Sequence, residues 1–323
     1  MACADGAVKR VPTPDWVYSS AMNRALGLCA LLILLGPLEG AQAAGQSLDS
    51  LRLAIEARIA LAPARAVGVF YRDLGSGDTL LVGADTRFHA ASTMKVPVMI
   101  QLFRDRDAGA LSLDDSIRIH NVFRSIFDSS PYSLDKADDS DSSLYALEGQ
   151  QRSVRQLIDL METVSSNLAT NLLIDRVGAA RANATAHVLG ADSILVLRGV
   201  EDGKAYQAGM NNTTTARDLG MLFTALAQYR AASPAACREM LDILARQHFT
   251  EGIPAGVPPG TRVAHKTGWI DGVVYHDAGV VYPAHGTPYV LVVLTAGIQQ
   301  DSVAHDLVSD LSRLVAHRDG GAR

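Results

Sequence analysis

Residues 88–103 read FHAASTMKVPVMIQLF, and the organisation of the whole chain follows from how this stretch is taken. Ser92 stands at its front, and Lys95 follows three residues later within a run apolar enough for a buried helix. On a helix that spacing puts both side chains on one face, one turn apart. A helix N-terminus favours developing negative charge, and apolar surroundings weaken a lysine's hold on its proton. Both effects suit a serine nucleophile activated by an adjacent amine. Taken alone, Ser-x-x-Lys also reads as an N-cap followed by a surface lysine, so its company decides.

Two further elements supply that company. Ser165-Ser166-Asn167 opens a helical pattern in METVSSNLATNLLIDRVG, and His265-Lys266-Thr267-Gly268 lies in the strand-like RVAHKTGWIDG. Around them, residues 47–61 carry apolar residues at helical spacing, with Ser47 or Asp49 as cap. AVGVFYRDL and DTLLVGAD flank Gly75-Ser76-Gly77 as a hairpin. From about 106 to 259 the patterns are mainly helical, apart from a polar, acid-rich loop over 124–149. Strands return in TRVAHKTG, DAGVVYP and YVLVVLTAG, and SVAHDLVSDLSRLVAH closes the chain as a helix. The expected class is α+β. An antiparallel sheet forms from both chain ends (about 47–91 and 260–323), flanked by the terminal helices. A mainly helical part, about 92–259, is inserted between them.

The three elements run in the order S-x-x-K, S-x-N, K-T-G described for class A β-lactamases and penicillin-binding proteins. Over 47–318 the sequence resembles the class A β-lactamase-related serine hydrolases. The resemblance implies that Ser92 is acylated, that Lys95 shares its proton transfer, and that Ser165 relays a proton to the leaving nitrogen. It implies that Asn167 holds the substrate amide and contacts Lys95, and that Lys266, Thr267 and Gly268 form the substrate-binding strand. The oxyanion hole would combine the Ser92 N–H with that of Trp269 or Ile270. Glu201, thirty-six residues after Ser165, stands where the family carries its water-activating glutamate, with Arg198 bracing the loop. Here the sequence departs from the family: E-x-x-L-N is absent, and Ala205 replaces the asparagine that shares the water. Ser166 likewise replaces the usual aspartate of the second motif. The implied activity is opening of a β-lactam ring through an acyl-serine. A D-Ala-D-Ala peptidase or esterase is the alternative, and a penicillin-binding sensor a more distant one.

Other classes fit poorly. The net charge of −5, without a basic run, argues against nucleic acid. There is no G-x-S-x-G, no phosphate-binding G-x-x-x-x-G-K-[ST], and no histidine pair at metal-ligand spacing, so no metal or cofactor is expected. His265 and His276 read as satisfied strand residues. Met22–Ala43 has a short basic start, an apolar core over Ala25–Leu35 and an Ala-Gln-Ala end, the pattern of an export signal. Residues 1–21 then form an upstream extension or mis-start, and 44–323 the catalytic domain, exported to a periplasm or the exterior. The apolar core is too short to anchor a chain in a bilayer. Cys237 is the one cysteine beyond that signal, which precludes an intrachain disulfide in the processed chain and suits a small buried hydrophobe. A monomer is the default expectation.

Overall fold

The computed structural model describes residues 47–320, so the segment read as an export signal lies outside the described residues. Helix α1 (Leu48–Ala60) begins at Ser47, whose hydroxyl accepts from the Ser50 N–H at 3.1 Å. Strands β1 (Ala66–Asp73) and β2 (Thr79–Val82) form the expected hairpin. Near the other end come β3 (Arg262–Ile270), β4 (Val274–Tyr282) and β5 (Tyr289–Ala296). They complete an antiparallel sheet in the order β2-β1-β5-β4-β3. The α+β class with a sheet drawn from both chain ends is therefore as expected.

This sheet is covered on both faces, and its sequence shows why. β5, YVLVVLTA, is apolar at nearly every position and wholly buried. Successive side chains point to opposite faces, so one strand serves two cores. Val69, Tyr71, Leu291 and Val293 pack with Leu51 and Ile55 of α1 and Leu307 and Leu311 of the closing helix. Phe70, Val292 and Leu294 face the helical part instead. Its helices are α2 (Lys95–Asp107), α3 (Val154–Thr163), α4 (Asn167–Val177), α5 (Ala179–Val188), α6 (Ala216–Ala227) and α7 (Pro234–Leu244), with α8 (Asp301–Gly320) closing the chain. α2 is buried almost all round, as a helix apolar on every side must be. Cys237 is buried within α7 and joined in no disulfide among the described residues.

Two expectations are refined. The segment 124–149 is not plain loop: Phe123–Arg124 pairs with Pro131–Tyr132, and Ser143–Leu147 forms a 3-10 turn. Its acidic composition hides these pieces because their order comes from contacts rather than propensity. Among them, Ser125 Oγ and the Ile126 N–H both donate to Asp202. Ser92, moreover, precedes the α-helix, lying in a 3-10 turn over Ala91–Met94 from which α2 continues at Lys95. Residues i and i+3 eclipse in a 3-10 turn, so Ser92 and Lys95 still share a side.

Candidate active site

The turn carrying Ser92 is held from below. Ala91 adopts a left-handed φ of 44°, costly for a residue with a Cβ. Its N–H donates to His89 Nδ1 at 3.1 Å, and Thr93 Oγ1 donates to the Ala90 carbonyl at 2.6 Å. His276 Nε2 donates to the His89 carbonyl at 2.8 Å, while its Nδ1 accepts from the Thr295 N–H. Burial pushes the His276 pKa down to about 4, so the ring is a neutral brace. His265 Nδ1 pairs with Asp277 at 2.8 Å, away from any open wall.

From the other side the edge strand β3 presses against the same turn. A Cβ built on Gly268 would lie 2.8 Å from the Ser92 nitrogen and 3.0 Å from that of Thr93. Only a residue without a side chain permits this approach. Gly268→Ala should push the strand from the turn and lower kcat/KM on the order of 10²-fold, the scale of a misplaced reacting group. Steady-state kinetics on protein of native circular dichroism would check it.

Register decides which N–H of β3 faces Ser92. The Gly297 N–H donates to the Val273 carbonyl, so that carbonyl and, after it, the peptide groups of Tyr275 and Asp277 turn toward β5, while the Val273 N–H closes the hairpin turn on the Ile270 carbonyl. Val274, His276 and Ala278 then face β3, where they pair with Ile270, Gly268 and Lys266. The N–H of Ile270 is thus spent inside the sheet, whereas that of Trp269 points to the open edge. Of the two residues the sequence left open, Trp269 has the available donor.

Behind Ser92 the polar groups converge on one hydroxyl. Lys95, fully buried, donates to the Ser165 carbonyl at 2.7 Å, to Ser165 Oγ at 3.1 Å and to Asn167 Oδ1 at 3.1 Å. Those three bonds use every N–H of an ammonium. Lys266, also fully buried, donates to Ser165 Oγ at 3.0 Å and to the Thr267 carbonyl at 3.1 Å. With both lone pairs of Ser165 Oγ occupied, its own proton is directed elsewhere. Burial first, and the Lys266 charge second, hold the Lys95 amine well below its ordinary range. Ser165 itself sits at a left-handed φ of 59°. Asp139 caps the following helix, accepting from the N–H groups of Asn167 and Leu168 at 2.9 Å. Thr267 is fully buried, and its hydroxyl has no hydrogen-bond partner among the described residues.

Glu201 is brought to this cluster. Its Oε1 accepts from Asn167 Nδ2 at 2.8 Å, so Asn167 bridges Lys95 to Glu201. Its Oε2 accepts from the Asp135 N–H at 3.1 Å. Burial lifts the carboxyl above its ordinary range, only partly offset by those two bonds. The surrounding loop is tied by Arg198, which donates to the carbonyls of Met210 and Gly199 and to Asn211 Oδ1, each at 2.9 Å. Asp202 caps the next short helix, and Ala205 is buried there. A cavity of about 260 Å³ opens between Ser92, Glu201, Tyr206 and Trp269. A second, of about 270 Å³, lies between Ser92, Ser165, Asn167 and Asp139. Ser92 borders both.

A serine on a strained turn, two buried lysines sharing a second serine, and a carboxylate across an open cavity, all on this fold, define a serine β-lactamase-like hydrolase. The comparisons agree. The chain belongs to the β-lactamase enzyme family, whose model matches residues 50–318. A β-lactamase of Streptomyces albus G is 27% identical over 264 residues, covering 79% of this chain and 80% of that one. The crystal structure of a β-lactamase from Sphaerobacter thermophilus superposes with a TM-score of 0.72 at 29% identity, covering 85% and 98%. A mutant of PBP-A, solved as an acyl-enzyme complex with penicillin G, gives 0.71 at 30% identity over 84% and 97%.

Sequence reasoning passed over Asp139, Tyr206 and Glu162. Asp139 and Tyr206 sit in segments without periodicity, so nothing local marks them. Glu162 was detectable: it interrupts the buried stripe of Leu157, Ile158 and Met161 on α3.

Proposed function

We propose that this protein is an exported serine β-lactamase that opens the lactam ring through an acyl-Ser92 intermediate and releases it with water. The observation that carries the proposal is the continuous chain Lys266–Ser165–Lys95–Asn167–Glu201, of which Ser165, Asn167 and Glu201 line the two cavities that Ser92 borders. Neutral Lys95 takes the Ser92 proton as Oγ attacks the lactam carbonyl. The carbonyl oxygen gathers charge between the N–H groups of Ser92 and Trp269. The C–N bond then breaks, and Ser165 passes a proton to the departing nitrogen, reprotonated in turn from Lys95. Lys266, with the uncommitted Thr267 hydroxyl, takes the substrate carboxylate.

Glu201 then draws a proton from water as the water oxygen attacks the ester; the ester C–O bond breaks, and the proton held by Glu201 returns to the departing Ser92 Oγ. Only the ionised carboxylate can act as this base. Burial raises its pKa, so turnover should fall with acidification at a pH above the ordinary glutamate range. A pH profile of benzylpenicillin kcat checks this, and an acid limb below that range would contradict it.

Residues 22–43 would direct export and be removed, leaving 44–323 as the active enzyme. Among the described residues no helix is long and apolar enough to cross a membrane. A peptidase reading is favoured by one observation: Ala205 offers no side chain to share the hydrolytic water. Hydrolysis of penicillin monitored beside cleavage of a D-Ala-D-Ala peptide separates the readings. Rapid loss of the lactam supports the β-lactamase, and peptide cleavage with a stable penicilloyl adduct supports the peptidase.

A further inference from the structure

Glu162 lies on α3, three residues before Ser165, and is fully buried. Neither carboxylate oxygen has a hydrogen-bond partner among the described residues. Its backbone, by contrast, is well fixed, since its carbonyl accepts from Gln247 Nε2 at 2.7 Å. A dry, unbonded carboxylate is expensive unless opposite charge compensates it. The electrostatic partners it has are Lys266 and Lys95, both fully buried and both donating to Ser165 Oγ.

Two amines on one hydroxyl repel each other whenever both are protonated, and the charge on each then needs compensation. Lys95 is faced by Lys266 and by the carboxylates of Asp139, Glu162 and Glu201. Lys266 is faced by Glu162 and Asp277. Three of these four acids are engaged elsewhere. Asp139 caps α4 and accepts from Tyr145, Glu201 is held by Asn167 and Asp135, and Asp277 is held by His265 and the Ile253 N–H. Glu162 has no such commitment.

We propose that Glu162 is the buried counter-charge of the lysine pair, a positioning residue that keeps Lys266 protonated while Lys95 exchanges its proton with Ser92 and Ser165. The inference rests on the acyl-serine reading above. Burial lowers Lys266 and raises Glu162, and their mutual attraction opposes both shifts. Removing the negative charge favours the neutral form of each neighbouring amine. Lys266 would then lose its proton, and with it the substrate carboxylate, at lower pH. Lys95 would become neutral at lower pH as well.

The test is the pH dependence of acylation by benzylpenicillin for wild type, Glu162→Gln and Glu162→Asp. Glu162→Gln should move the alkaline limb down by about one unit, a tenfold loss on that side. The acid side should suffer no comparable loss. Glu162→Asp should return the limb toward wild type. A Glu162→Gln profile with wild-type limbs, whatever its melting temperature, would overturn the proposal, as would an equal shift in both variants. Should Glu162→Gln not fold, carboxyl ¹³C NMR of wild type, with Glu162 assigned through its backbone, reads the charge directly. A carboxylate at pH 8 supports the proposal, and a carboxylic acid persisting to pH 9 overturns it. A wild type that is never acylated would count against the acyl-serine reading, and the NMR titration would still report on Glu162.

Discussion

Ser92→Ala should form no penicilloyl adduct, and its kcat/KM for benzylpenicillin should drop by on the order of 10⁴-fold or more, as when a serine nucleophile is removed from a working hydrolase. The expectation follows from geometry. Ser92 borders both cavities, its N–H abuts the edge strand at Gly268, and no second hydroxyl among the described residues is so placed. Ser165 cannot take over, because its oxygen already accepts from both lysines. The substitution removes one exposed-side oxygen from a braced turn, so melting temperature should change little. Intact mass after incubation with benzylpenicillin reads the result. An adduct of undiminished yield in Ser92→Ala would place the nucleophile elsewhere.

The second large effect concerns release. Glu201→Gln should be acylated at a rate near that of wild type and then stall, with deacylation slowed on the order of 10³-fold, the range of a lost general base. Glutamine keeps the size of the side chain and one acceptor oxygen, enough for the Asn167 Nδ2 donor, so the loop should give up only the bond from the Asp135 N–H. What it lacks is the ability to take a proton from water. Stopped-flow acylation combined with a chase of the adduct separates the two steps. Unchanged turnover would remove Glu201 from the mechanism. That outcome would matter, because Ala205 stands where the resemblance implied a second amide beside Asn167 to share the water, and Tyr206 is the polar side chain next to it that lines the cavity.

The fold was legible because its signals are strong and local. YVLVVLTAG has the β-branched, apolar make-up of a strand, and Gly75-Ser76-Gly77 between two β-rich runs signals a hairpin. In the structure Ser153 with Gln156, and Thr215 with Asp218, close capping boxes at the starts of α3 and α6. The helix over 179–188 has a weaker pattern, AARANATAHV, and its place comes from packing on α2.

The site was legible as a set of motifs and not as an arrangement. Spacing put Ser92, Lys95, Ser165, Lys266 and Glu201 on the page, but nothing in the spacing says that Asn167 spans Lys95 and Glu201. Nor could it choose Trp269 over Ile270, since that depends on which rungs of the β3–β4 pair carry hydrogen bonds. Composition made 124–149 a loop, whereas Asp135 and Asp139 from that segment reach Glu201 and the start of α4. Such contacts join residues far apart in the chain and leave no periodic trace.

The most direct measurement is time-resolved intact mass spectrometry of the protein mixed with benzylpenicillin, followed by peptide mapping. An adduct of one opened penicillin on Ser92 should appear, then vanish as the free antibiotic is consumed, leaving the enzyme unmodified. A bound penicillin that persists, or consumption of the antibiotic with no adduct on Ser92 at any time, would contradict hydrolysis through a transient acyl-Ser92.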